Sequence, residues 1–172
     1  GWDIAKLVDT AGDDSLYADN QLGRLTDSAG SVREAQGFDR TIITSSGGND
    51  TADLNGSSGN DTALGSMDSL IFKGDGFSYR LDGYSEVTMS SGLGEDALYL
   101  NDTQGDDILQ LQDGNLSWSE SSRNLVALQF ETYVINSVDA GQDTVQFLGS
   151  QNDDQFYIFV KSSFHQKFFF YF

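Results

Sequence analysis

The sequence predicts an all-β chain, a parallel β-solenoid (β-helix or β-roll) of about four repeats of ~46 residues with little or no helix, and three observations predict it. A paired Gly-x-Asp signature returns along the chain, as Asp3 with Asp14, Asp50 with Asp61, Asp96 with Asp107, and Asp143 with Asp154. Members of a pair are 11 residues apart, and corresponding members of successive pairs are 47, 46 and 47 apart. A period this regular marks one supersecondary unit stacked on itself. Apolar residues alternate with polar ones after each signature, the period-2 pattern of a half-buried strand. The chain also has no proline, and 22 of its 27 acidic residues are Asp. Asp and Gly favour turns over helix, while the lack of proline leaves every backbone N–H free to join a ladder.

Each repeat opens on a strand. In the four copies, Ala5 and Leu7, Ala52 and Leu54, Leu98 and Leu100, and Val145 and Phe147 stand two and four places after the signature Asp. The signature then returns as Gly12-Asp13-Asp14, Gly59-Asn60-Asp61, Gly105-Asp106-Asp107 and Asn152-Asp153-Asp154, the last without its Gly. A second alternating strand follows an aromatic: Phe38 before Thr41 and Ile43, Tyr84 before Val87 and Met89, Phe130 before Tyr133 and Ile135. Between the two lies an apolar patch, Leu70 with Phe72 or Leu116 with Trp118. This divides a repeat into about four strand-plus-turn units of roughly 11 or 12 residues, two to a coil. Residues 1–160 form one solenoid domain in this reading. Residues 161–172, ending Phe168-Phe169-Phe170-Tyr171-Phe172, break the pattern and read as an aromatic tail.

A net charge of −18 repels nucleic acid and anionic lipid, so neither is an expected partner. Divalent cations, or a salty medium that screens the carboxylates, are the expected company for such a surface. No apolar run reaches the roughly 18 to 20 residues of a membrane-spanning helix. The absence of cysteine is silent about compartment. Beginning at Gly1 without Met or a leader, the sequence reads as a piece of something longer.

At Gly56-Ser57-Ser58-Gly59-Asn60-Asp61-Thr62-Ala63 the sequence resembles the nonapeptide Gly-Gly-x-Gly-x-Asp-x-apolar-x of hemolysin-type (RTX-like) calcium-binding repeats. Ser91 to Leu98 and Asp9 to Leu16 are weaker matches. The resemblance implies a stacked β-roll in a bacterial extracellular or cell-surface protein, with Ca²⁺ held by Asp carboxylates and turn carbonyls. Carried over by position, the metal ligands are Asp14, Asp50, Asp61, Asp96, Asp107, Asp143 and Asp154, with Asp3 a weaker candidate at the start of the chain. The signatures recur after 11 and then about 35 residues instead of every nine, so successive turns need not stack directly. An Asp after Gly-x can also bond backbone N–H groups as an Asx turn without metal. Seven or eight carboxylates along one side of a rod would favour a bound cation.

No enzyme is expected, because His165 is the single histidine and no carboxylate stands apart from the repeat. The aromatics Phe38, Phe72, Phe77, Tyr79, Tyr84, Trp118, Phe130 and Tyr133 read as a core ladder, with a sugar-stacking stripe as the competing reading. The expected function is a spacer or adhesive stalk, with calcium ions, neighbouring repeat domains or glycans as partners. The alternative is a carbohydrate-binding or polysaccharide-cleaving β-helix module.

Overall fold

A computed structural model of the chain describes residues 1–137, 141–148, 157–160 and 167–171, of which Ser137 and the last two segments are described by backbone alone. The first repeat holds β1 (Ile4–Val8), β2 (Ser15–Ala18), β3 (Leu22–Thr26), β4 (Val32–Gln36) and β5 (Arg40–Thr44). The second holds β6 (Thr51–Asn55), β7 (Thr62–Gly65), β8 (Ser69–Gly74), β9 (Phe77–Asp82) and β10 (Glu86–Ser90). The third holds β11 (Ala97–Asn101), β12 (Asp107–Gln112), β13 (Asn115–Glu120), β14 (Arg123–Leu128) and β15 (Thr132–Ser137). Then come β16 (Thr144–Leu148), β17 (Tyr157–Val160) and β18 (Lys167–Tyr171). There is no helix among the described residues.

The strands form two sheets, of eight strands in the order β1-β5-β9-β8-β7-β11-β15-β17 and of ten in the order β18-β16-β12-β13-β14-β10-β6-β2-β3-β4. Strands from successive coils pair in parallel and in register, as Leu16 with Ala52 and Leu98 with Tyr133 do. The chain is therefore a β-solenoid of stacked parallel coils. It also departs from a plain one. In each complete repeat the middle three strands run as an antiparallel meander within one sheet, β2-β3-β4, β7-β8-β9 and β12-β13-β14. The apolar patch at Leu70 and Phe72 is β8, and that at Leu116 and Trp118 is β13, so a repeat has five strands where spacing suggested four.

That meander changes how the repeat is read. Within a repeat the chain crosses between sheets twice, and once more to reach the next, an odd number. The opening strand therefore alternates between sheets: β1 and β11 lie in the eight-stranded sheet, β6 and β16 in the ten-stranded one. Successive 46-residue repeats are related by a half-turn about the solenoid axis, and like environments recur every second repeat.

Alternation places the core as the sequence suggests. Leu7, Leu54, Leu98, Leu100 and Phe147 are buried, as are Ile43, Met89 and Ile135 from the later strands, in one cluster running between the sheets. Phe72, Phe77, Tyr79, Tyr84, Trp118, Phe130 and Tyr133 join it, with Phe72 edge-on to Phe77 at 5.6 Å and 6.3 Å from Phe130. Buried rings of this size dominate core energetics. Phe38 differs, being 40% exposed at the end of the stack. The backbone of Lys167–Tyr171, within the aromatic tail, pairs in parallel with β16.

Candidate metal centre

The Gly-x-Asp turns are the corners at which the chain passes from one sheet to the other, and they stack directly. The 35- or 36-residue interval is one coil with its meander folded back, so Asp50 comes to rest over Asp14, Asp96 over Asp61 and Asp143 over Asp107. The Asp14 N–H donates to Asp50 Oδ1 at 2.9 Å, the Asp61 N–H to Asp96 Oδ1 at 2.6 Å and the Asp107 N–H to Asp143 Oδ1 at 3.2 Å. A second column runs beside it. The Asn49 N–H donates to Asp13 Oδ1 at 2.8 Å, the Glu95 N–H to Asn60 Oδ1 at 3.1 Å and the Gln142 N–H to Asp106 Oδ1 at 2.8 Å. Two side chains per corner thus replace the ladder hydrogen bonds that a turn cannot make.

Such close stacking leaves no room for a Cβ. Gly48 has φ of +107°, and a Cβ there would stand 2.3 Å from the carbonyl oxygen of Gly12 in the coil below. Glycine is required twice over, by conformation and by contact. The lower Asp of each stack (Asp14, Asp61 and Asp107) also closes its own loop. Asp14 accepts from the Thr10 N–H at 2.6 Å and from the Thr10 hydroxyl, Asp61 likewise from Ser57, and Asp107 from Thr103.

The carboxylates are not aligned along one side of the rod, contrary to expectation. Corners at which the chain leaves the eight-stranded sheet hold Asp14, Asp50, Asp107 and Asp143, whereas Asp61 and Asp96 sit where it leaves the ten-stranded sheet, on the opposite edge. The three inter-sheet crossings per repeat produce this division. Asp3, just before β1, leads into the eight-stranded sheet on the same edge as Asp61 and Asp96, and its N–H donates to Asp39 Oδ2 at 2.6 Å in the same 36-residue stack. Asp154 and His165 lie outside the described residues.

Two triads emerge on the first edge: Asp9, Asp14 and Asp50, and two repeats later Asp102, Asp107 and Asp143. In each, one carboxylate oxygen per residue lies within 4.8 Å of the others, and all six residues are buried. Asp9 and Asp102 were not among the ligands expected from the sequence, because they follow no glycine. Their signal was present nonetheless: an Asp stands five residues before Asp14 and before Asp107, while Gly56 occupies that place before Asp61.

Electrostatics distinguishes the members. Burial pushes the Asp9 carboxyl above the usual carboxylate range; hydrogen bonds from Ser46 pull it down, and the Asp50 charge adds to the rise. Asp9 Oδ1 takes the Ser46 N–H, while Asp9 Oδ2 is buried with no hydrogen-bond partner. Asp14 is opposite in sign. Burial works against its charge, yet donors from Thr10 and Ser28 outweigh it and hold the group below the usual range. In the second triad burial raises Asp107, partly offset by the indole N–H of Trp118 at 2.9 Å from Oδ1 and by Thr103, with the Glu120 charge adding to the rise. Burial also raises Asp61, against donors from Ser57 and with the help of Asp96.

The arrangement is that of a β-solenoid whose corners gather buried carboxylates without nitrogen or sulfur donors, a set suited to hard divalent cations. Comparison with family models, curated proteins and solved structures returns no match. Among the described residues no helix is long and apolar enough to cross a membrane.

Proposed function

We propose that this chain is a structural repeat module, a stiff spacer or adhesive stalk of a cell-surface or secreted protein, tightened by calcium. One observation carries the reading: the polar residues that recur with the repeat bond one coil to the next. Signature carboxylates receive the N–H groups of the adjacent coil, the loop hydroxyls receive or donate within the corner, and the aromatic rings fill the core. Of the eight rings named from the sequence for a sugar-binding stripe, all but Phe38 are inside the protein. At about 4.8 Å between strands, ten strands span about 45 Å along the axis.

The resemblance to calcium-binding repeats supports an extracellular setting, where calcium is plentiful, and buried like charges support a cation at the corners. The test pairs shape with stability. Small-angle scattering should give an elongated particle, and thermal melting should shift upward when Ca²⁺ replaces chelator. A globular scattering profile would overturn the spacer reading, and identical melts would overturn calcium as its tightening agent.

A further inference from the structure

We infer that the described residues hold two hard divalent cations of the calcium type, one at Asp9, Asp14 and Asp50 and one at Asp102, Asp107 and Asp143, and none at the stacked pair Asp61 and Asp96. This rests on the cation-tightened spacer reading and assigns its sites. A group of acidic residues is common without any ion, so the assignment stands on two further features.

The first is Asp9 Oδ2. The residue is only 8% exposed, its other oxygen is taken by Ser46, and this one has no hydrogen-bond donor. A buried carboxylate oxygen left without a partner beside two more carboxylates is strongly unfavourable unless a cation or a proton neutralises it, and direct titration with Ca²⁺ separates the two. Three carboxylates supply three negative charges and up to six oxygens, some already used in hydrogen bonds, and loop carbonyls and water complete a six-to-eight-oxygen shell. Nitrogen and sulfur ligands, which would favour zinc or copper, are absent from both triads.

The second is the contrast built into the chain itself. The opposite edge repeats the stack, with the Asp61 N–H on Asp96 Oδ1 and the Ser57 loop around Asp61, but Gly56 replaces the third carboxylate. Its N–H donates to the Ser90 carbonyl at 2.8 Å, and a Cβ at that position would stand 2.2 Å from the Ser91 carbonyl oxygen and 2.4 Å from Asp61 Oδ2. Backbone therefore closes the space that Asp9 and Asp102 fill elsewhere. Asp96 Oδ2 is also buried without a donor, and Glu131 stacks on that corner with Oε2 taking the Asp96 N–H at 2.7 Å, but there, among the described residues, no three carboxylates bring an oxygen each within 4.8 Å of one another as the two triads do. The half-turn between repeats makes the alternation regular, with a cation corner every second repeat, always on the same edge. Each ion ties two residues of one corner to the Asp of the coil above and so pins the base of a meander.

The test is calorimetric titration of the chelator-stripped chain with Ca²⁺, in parallel with Tb³⁺ luminescence excited through indole. In a Trp2→Phe background Trp118 is the remaining tryptophan, and its N–H on Asp107 places it beside the second site. The described residues should contribute two Ca²⁺ per chain, with one fewer bound in Asp9→Asn, one fewer in Asp102→Asn and two fewer in the double variant. Asp96→Asn should lose none. Indole-sensitised Tb³⁺ emission should fall at least tenfold in Asp102→Asn and persist in Asp9→Asn. Each single variant retains the other site, whose binding reports that the chain is folded. Binding lost in Asp96→Asn, or no ion lost in the double variant, would overturn the site assignment while leaving a cation-tightened rod. No Ca²⁺ binding at millimolar concentration would overturn both the assignment and the calcium part of the function, leaving the spacer itself to the scattering result.

Discussion

Replacing Gly48 by Ala probes the corner stacking directly. A Cβ at Gly48 would meet the Gly12 carbonyl oxygen at 2.3 Å, whereas ordinary contact begins at 3.4 Å, so the two coils must part by about 1 Å. Opening the corner stretches the bonds that cross it, from Asn49 N–H to Asp13 and from Asp14 N–H to Asp50. A hydrogen bond to a charged group contributes about 1.5–3 kcal/mol, and a non-glycine residue at positive φ is strained by about 1–2 kcal/mol. Losing one bond and accepting the strain gives a destabilisation of about 2.5–5 kcal/mol. Gly30 supplies the control, for its φ is +86° but a Cβ there meets nothing within 4 Å. Gly30→Ala should therefore lose only the conformational part, about 1–2 kcal/mol. Urea unfolding of both variants in chelator, followed by circular dichroism, measures the difference. Equal losses at the two positions would refute the claim that the glycine corners are packed backbone on backbone.

Three other outcomes are expected. Trp118→Phe keeps the core volume nearly filled but strips Asp107 Oδ1 of its indole donor, so urea unfolding should show a loss of about 1–3 kcal/mol. Saturating Ca²⁺ should raise the unfolding free energy by about 2.7 kcal/mol per site at a hundredfold excess over Kd, and a gain unchanged in the Asp9→Asn and Asp102→Asn double variant would contradict the assigned sites. The pH dependence without metal has a definite sign. Asp9, Asp61 and Asp107 have folded values raised above 3.8, so their contribution is fully present below that value and lost as pH rises through the folded values. Asp14 is lowered, and so is Asp27 after β3, held down by the N–H groups of Ser31 and Ala29, so their contribution is present above 3.8 and lost as pH falls through their folded values. In chelator the urea midpoint should consequently be higher near about pH 5 than at neutrality, with relief of self-repulsion acting in the same direction. A midpoint that falls steadily from neutrality would contradict the raised values.

Much of the fold was legible because a solenoid writes its period into the chain. Leu54, Met89 and Leu98 are buried where alternation places them, and the signature Asp residues mark the corners. The direction of β8 and β13 was not legible, since Phe72 and Trp118 alternate with polar neighbours equally well in a parallel or an antiparallel strand. That single ambiguity hid the fifth strand, the half-turn between repeats and the division of the carboxylates between two edges. It also hid Asp9 and Asp102. Each is brought to the signature Asp by the path of its own corner loop, and only the stacking of Asp50 or Asp143 from the next coil makes the group a triad.

Disulfide trapping tests the stacked corners most directly, on a chain with no cysteine of its own. Asp13→Cys with Asn49→Cys places two thiols on neighbouring exposed corners, separated by about the 4.8 Å between coils and within disulfide reach. That pair should oxidise nearly completely without loss of β-structure. Asn49→Cys with Asn60→Cys, only 11 residues apart but on opposite edges, should remain reduced under the same conditions. Cross-linking of the second pair in place of the first would contradict the stacked corners and the half-turn between repeats together.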